Sequence, residues 1–185
     1  ADNERLFAAA EEAFGGLDMA FLNAGVLQPY VPFDQVSEEV FDRLISINLK
    51  GAFFGLQQAQ KRLRPGGAAV VTASAAGVIG FADAVAYSAS KHGVLGVVKS
   101  AAREFAGRGL RVNAICPGGV NTPMTGVEPS LDLQPVAQLR PPAYRGMLDP
   151  QQVAEVALFL LGPASAGVNG QAQLVDAALL SAFPD

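Results

Sequence analysis

A chain of 185 residues is long enough for one domain with a substantial core. Half of its residues are hydrophobic and 16% are charged, which excludes a disordered segment. The net charge of −4 comes with both signs scattered, so no basic run points to nucleic acid and no basic amphipathic face points to a membrane. No apolar run reaches transmembrane length, and the start shows no signal-peptide pattern. The single cysteine, Cys116, rules out an internal disulfide and fits a reducing, cytoplasmic compartment.

The first element is a helix over 2–14, where Leu6, Ala9, Ala10, Ala13 and Phe14 recur at helical spacing before Gly15-Gly16. The chain enters this helix directly at Ala1 and reads as one met partway through. Residues 19–23 form a short apolar strand ending in Ala24-Gly25. Ser37 caps a long helix to about 63, with Glu38 and Glu39 favouring its positive end. Pro65-Gly66-Gly67 is a break, and 68–73 is a second strand, apolar throughout as burial on both faces requires. A helix over 84–106 and a strand over 110–115 follow, closed by Pro117-Gly118-Gly119. Residues 123–148, rich in proline and without periodicity, read as a long loop. Pro150 suits the first turn of a helix to about 161, and 171–175 makes a fourth strand. Strands alternating with helices predict a single domain over 1–185. Its fold class is α/β, a Rossmann-like parallel sheet with helices on both faces.

In open α/β sheets the ligand lies at the carboxyl ends of the strands. Those ends carry Asn23-Ala24-Gly25, Thr72-Ala73-Ser74 and Cys116-Pro117-Gly118. Ordinary turn chemistry explains any one of them. Asn48 interrupts an apolar stripe formed with Val40, Leu44 and Ala52. It either bonds a neighbouring backbone or serves the site. Tyr87, Lys91, Leu95 and Val98 share one helical face, and a lysine on such a stripe needs a partner or must snorkel. The tyrosine–lysine pair alone is a common coincidence.

The joint spacing is not. Ser74, Tyr87 and Lys91 form Ser-x12-Tyr-x3-Lys, preceded by Asn23-Ala24-Gly25 and Asn48 and followed by Pro117-Gly118-x-Val120-x-Thr122. In this order the chain, from about 16 to 176, closely resembles the classical short-chain dehydrogenase/reductase family. The resemblance implies an oxidoreductase that transfers a hydride between NAD or NADP and a small-molecule carbonyl or secondary alcohol. Tyr87 matches the family's general acid/base, and Lys91 the residue that lowers the tyrosine pKa and binds the nicotinamide ribose. Ser74 matches the serine that hydrogen-bonds the substrate oxygen, and Asn48 the asparagine that holds a water in the proton relay. Asn23, Ala24 and Gly25 match a segment near the cofactor's adenosine side. Pro117, Gly118, Val120 and Thr122 match the segment that packs on the nicotinamide, so the cofactor set is completed by Tyr87 and Lys91. Leu22 departs from the family's first Asn, and Ala177-Ala178 from the glycines after Asp176.

No metal site is expected. His92, next to Lys91, points off the catalytic face; Cys116 reads as a packing residue; Met124 and Met147 read as gap-fillers at the ends of the loop. The loop at 123–148, with Arg140 and Arg145, is expected to be a substrate lid.

The family's glycine fingerprint is absent, since Gly15-Gly16 follow a helix and Gly77 and Gly80 follow the serine strand. By the resemblance, the first βαβαβ half is missing and about four strands remain. The expectation is a strand over 18–23 with one unpaired edge, and weak cofactor binding by this chain alone. Val94, Leu95, Val97, Val98, Ala101 and Ala102 make the 84–106 helix apolar on more than one side. This predicts a homo-oligomer, a dimer or tetramer, through the helices near 37–63 and 84–106. The alternative reading is a truncated, non-catalytic relative acting as a subunit or interaction module.

Overall fold

The computed structural model describes residues 2–127, 135, 138, 139 and 146–181. Its elements are α1 (Asp2–Phe14), β1 (Leu17–Leu22), α2 (Glu38–Leu44), a π-helical segment (Ile45–Lys50), α3 (Gly51–Arg62), β2 (Leu63–Thr72), α4 (Val85–Phe105), β3 (Arg111–Pro117), α5 (Pro150–Leu161) and β4 (Ala172–Val175). The strands form one sheet in the order β1-β2-β3-β4, and every pairing is parallel. The fold is the expected Rossmann-like α/β sheet with helices on both faces.

The larger core lies between the sheet and α1, α3 and α4, and includes Phe7, Leu56, Leu63, Val71, Val94, Val98 and Val112. The smaller core joins Val70 and Ile115 to Ala157 and Leu160 of α5 on the opposite face. β2 and β3 therefore bury both sides, which is why 68–73 of β2 reads as a continuous apolar run. β1 is an edge strand; Ala20 faces the large core while Met19 and Phe21, on the other face, are 52% and 42% exposed.

Local chemistry sets the element ends. The Ser37 hydroxyl accepts from Val40 N at 3.3 Å, the expected cap of α2. Asp149 and Gln152 form a capping box around Pro150 at the start of α5. At the far end of α5, the Arg111 guanidinium donates to the carbonyls of Leu160 (2.7 Å), Leu161 (3.1 Å), Gly162 (3.0 Å) and Ser165 (3.2 Å). These include carbonyls that a helix terminus leaves without intrahelical partners.

The chain departs from the sequence expectation in two places. The helix expected over 37–63 is interrupted by the π-helical turn at Ile45–Lys50. The strand expected from 68 starts at Leu63, which pairs with Leu17; a bulge over 64–67 follows before Ala68 pairs with Met19. Pro65-Gly66-Gly67 is thus a break inside a strand. Gly67 is required there, because an added Cβ would lie 2.5 Å from the Asp18 carbonyl.

Of the expected lid, Pro123–Thr125 forms a short 3-10 turn and Leu148 bridges to Val120. Arg140, Arg145 and most of 123–148 lie outside the described residues. Among the described residues no helix is long and apolar enough to cross a membrane.

Candidate active site

The exits of β1, β2 and β3 open into a cavity of about 560 Å³. Of the residues predicted from sequence, Asn23, Ala24, Gly25, Ser74, Tyr87, Lys91, Pro117, Gly118, Val120 and Thr122 line it together. Phe21, Met124, Val153 and Ala154 add an apolar wall, and α5 thereby joins the site.

Lys91 is 4% exposed, so its charge needs a partner. Its Nζ donates to the Thr72 carbonyl at 2.8 Å and stands 5.7 Å from the centroid of the Tyr87 ring. Burial lowers its pKa from 10.5 to about 8, against a smaller upward pull from Cys116. At neutral pH the group is still mostly protonated. Gly77 makes this packing possible: a Cβ there would lie 2.8 Å from the Lys91 carbonyl, so only glycine lets the loop after Ser74 sit on α4.

Tyr87 behaves differently from the expectation that the lysine lowers its pKa. Burial raises the phenol above its ordinary value, a hydrogen bond with Ser74 pulls it down, and Tyr30 pushes it up. Desolvation is the largest of the three effects, and the Lys91 ammonium donates to the Thr72 carbonyl. Ser74 has an extended backbone and its hydroxyl accepts from Ala76 N at 3.1 Å, capping the turn Ala75–Gly77.

Asn48 is the one predicted catalytic residue whose side chain is not in the cavity wall. It is 2% exposed, and both ends of its carboxamide are hydrogen-bonded. Nδ2 donates to the Val26 carbonyl (2.9 Å) and the Ser90 hydroxyl (3.1 Å), while Oδ1 accepts from Val26 N (2.8 Å). Ser90 in turn donates to the Tyr87 carbonyl at 2.7 Å. The side chain is therefore a structural bridge between the loop after β1 and α4, and the π turn places it there.

The other predicted residues act mainly through backbone. A Cβ on Gly25 would approach Asn48 Oδ1 to 3.3 Å and Lys91 Nζ to 3.4 Å. On Gly118 it would meet Asp176 Cα at 3.0 Å. Asn23 Oδ1 accepts from the Thr72 hydroxyl at 2.7 Å, tying the exits of β1 and β2. Leu22 packs on the large core over Gly55, where a Cβ would meet its Cδ1 at 2.8 Å, which explains an apolar residue at that place. Ala177 and Ala178 keep left-handed backbone (φ 52° and 62°) although they carry Cβ atoms. His92 is exposed, with Nδ1 2.9 Å from the Ser88 carbonyl. Cys116 is fully buried and its thiol is pushed up to about 11 by burial, as suits a packing residue. Met124 lines the cavity, and Met147 packs its sulfur against Gly119.

Sequence reasoning placed Thr72 and Gly77 at and after the serine strand exit without giving them these roles, and it missed Val26, Gln28 and Ser90.

A family model described as enoyl-(acyl carrier protein) reductase matches residues 1–178. Cyclohexanol dehydrogenase of Acinetobacter sp. (strain SE19) is 37% identical over 98% of this chain and 72% of its own length. Levodione reductase of Leifsonia aquatica is 34% identical over 97% of this chain and 70% of its own. A crystal structure of levodione reductase superimposes with a TM-score of 0.85 at 32% identity, covering 98% of this chain and 73% of that one. A putative dehydrogenase from Burkholderia cenocepacia with bound NADP gives 0.82 at 27% identity, covering 95% and 67%. With the sheet order, the cavity and these relatives in agreement, the chain belongs to the short-chain dehydrogenase/reductase family.

Proposed function

We propose that residues 1–185 are the catalytic part of an oxidoreductase that interconverts a secondary alcohol and a carbonyl with NAD or NADP. Tyr87 is its general acid/base. The observation that carries this reading is the meeting of Ser74, Tyr87 and buried Lys91 on one cavity. A non-catalytic relative has no need to bury an ammonium beside a phenol, which costs stability.

The residues present fit the nicotinamide half of the cofactor. Gly25 and Gly118 leave open the space a Cβ would take, and Lys91 Nζ faces the first of them. Lys91 and the Gly25 backbone would hold the ribose, with Pro117, Gly118, Val120 and Thr122 against the ring. Among the described residues no glycine-rich turn joins a strand to a helix N-terminus, so the fit does not extend to the pyrophosphate. When bound, the nicotinamide supplies or accepts the hydride. The protein moves the proton. Ser74 donates its hydroxyl hydrogen to the substrate oxygen, and the Tyr87 phenol gives its proton to that oxygen in reduction or takes it back in oxidation. Burial raises the phenol above its ordinary value, so Tyr87 carries its proton at neutral pH. Phe21, Met124, Val153 and Ala154 offer an apolar wall that suits a ring such as the one named for cyclohexanol dehydrogenase.

The test is oxidation of cyclohexanol and reduction of cyclohexanone, followed by NAD(P)H absorbance in wild type, Tyr87→Phe and Ser74→Ala. Tyr87→Phe should lower kcat by about 10²–10⁴ and Ser74→Ala by about 10²–10³, with unchanged circular dichroism. Full activity in Tyr87→Phe would remove the reading.

The same reading includes a homo-oligomer and a cytoplasmic setting, which the free Cys116 suits. A groove of about 520 Å³ runs between α3 and α4, lined by Phe53, Leu56, Gly93, Gly96 and Val97. Phe53 and Phe54 pack edge to face at 5.2 Å yet stay half exposed. Sedimentation at micromolar concentration should show a dimer or tetramer that Phe53→Glu dissociates.

A further inference from the structure

We propose that Gln28 is a positioning residue for Tyr87, its carboxamide replacing the side-chain cap that α4 lacks. This rests on the reading of Tyr87 as the acid/base.

The first N–H groups of a helix have no intrahelical acceptors and are normally met by a Ser, Thr, Asp or Asn at the cap. The cap residue of α4 is Ala84, which has no side chain to offer. The N–H at Tyr87 is met instead by Gln28 Oε1 at 3.0 Å, from a loop 59 residues away in sequence. Gln28 is 4% exposed, and its buried Nε2 has no hydrogen-bond partner among the described residues. A flipped amide would set donor against donor at Tyr87 N, so this backbone bond fixes the orientation of the side chain. It also accounts for a glutamine tolerated in the interior with half of its amide unused.

A second bond reinforces the clamp. Val31 N donates to the Asp83 carbonyl at 2.9 Å, and Asp83 holds a left-handed backbone (φ 58°) just before α4. The segment 28–31 thus grips 83–87 at two points. On the other side Ser90 donates to the Tyr87 carbonyl, and Ser90 accepts from Asn48. Both backbone polar groups of Tyr87 are therefore held by side chains, and the phenol reaches Ser74 from a fixed base. Tyr30, carried between the two clamp points, stands close enough to influence the phenol.

The test compares Gln28→Met, which keeps the volume and loses the acceptor, with Gln28→Glu, which keeps the acceptor and loses the unused donor. Three readouts are taken on the full chain. The first is hydrogen exchange at the Tyr87 amide. The second is ultraviolet titration of the Tyr87 phenol by difference from Tyr87→Phe, simple in a chain with three tyrosines and no tryptophan. The third is the split between kcat and KM. In Gln28→Met, amide protection should fall about tenfold or more, the phenol should titrate higher as its Ser74 bond loosens, and kcat should fall about tenfold with KM unchanged. Gln28→Glu should restore amide protection and most of kcat. A folded Gln28→Met with wild-type amide protection and phenol titration overturns the proposal, as does a Gln28→Glu no better than Gln28→Met. Loss in Tyr87→Phe together with full kcat in Gln28→Met rejects the positioning role and leaves the catalytic reading intact. Full activity in Tyr87→Phe rejects both.

Discussion

Replacing Lys91 by methionine should make this protein inactive without unfolding it, and the pH dependence of its stability should say why. The ammonium is 4% exposed, and burial brings its pKa from 10.5 to about 8. That fall corresponds to about 3 kcal/mol of preference for the neutral amine in the folded state. The sign follows from proton binding. Between about 8 and 10.5 the unfolded chain holds a proton that the folded one has released, so stability rises with pH across that window. Below 8 both states are protonated, and the cost of burying the charge is present in full. The bond from Nζ to the Thr72 carbonyl offsets part of it, about 1.5–3 kcal/mol for a charged donor. At neutral pH Lys91→Met should therefore match wild-type stability within about 1–2 kcal/mol. Urea unfolding of both proteins from neutral pH to pH 10.5 reads the effect, because groups that do not interact with Lys91 cancel in the difference; Cys116, which does, contributes a smaller amount. Wild type should gain about 3 kcal/mol on the variant over this range. Parallel profiles would show that the ammonium is solvated in solution and refute the argument.

Other substitutions have expected outcomes of their own. Arg111→Met leaves the carbonyls at the end of α5 without their charged donor and should cost about 2–4 kcal/mol, lowering Tm by roughly 10 °C. Arg111→Lys should recover only part, since an ammonium lacks the planar fork; full recovery by lysine would count against this account. Ala177→Gly and Ala178→Gly should each stabilise by about 0.5–1 kcal/mol in chemical unfolding, because both alanines hold backbone conformations that glycine adopts freely. A loss of stability in either would show that the methyl group is packed.

Much of this was legible in the sequence because it depends on local pattern. The double-sided burial of β2 wrote itself as a continuous apolar run, and Ser37 and Pro150 marked helix starts through their own chemistry. The spacing of Ser74, Tyr87 and Lys91 likewise brought their side chains to one cavity. What failed depends on partners distant in sequence. The π turn leaves Leu44 and Ala52 both buried, so periodicity does not report it; the bonds Asn48 makes from it go to Val26, 22 residues earlier. Gln28 stands in an irregular loop where no pattern distinguishes a buried amide from a solvated one. The bulge at 64–67 looks like a strand break because Pro-Gly-Gly has the same composition in either role. The direction of the Tyr87 shift was misjudged because spacing shows a nearby cation but not how dry the phenol is.

Gly25 separates what the fold needs from what the site needs. It lines the cavity at the exit of β1, and a Cβ there would lie 3.3 Å from Asn48 Oδ1 and 3.4 Å from Lys91 Nζ. Both distances are tight but tolerable, and no left-handed backbone is involved, so Gly25→Ala should fold and keep Tm within roughly 3 °C of wild type. The methyl group would nonetheless stand where we propose that Lys91 meets the ribose. The expected result is a KM for NAD or NADP raised about tenfold, with a smaller change in kcat, because the hydroxyls of Tyr87 and Ser74, proposed to serve the proton transfer, are untouched. Steady-state kinetics in varied cofactor, set beside a thermal melt, decides it. An unchanged cofactor KM would move the ribose away from Lys91, and a collapsed Tm would make Gly25 a requirement of folding before one of binding.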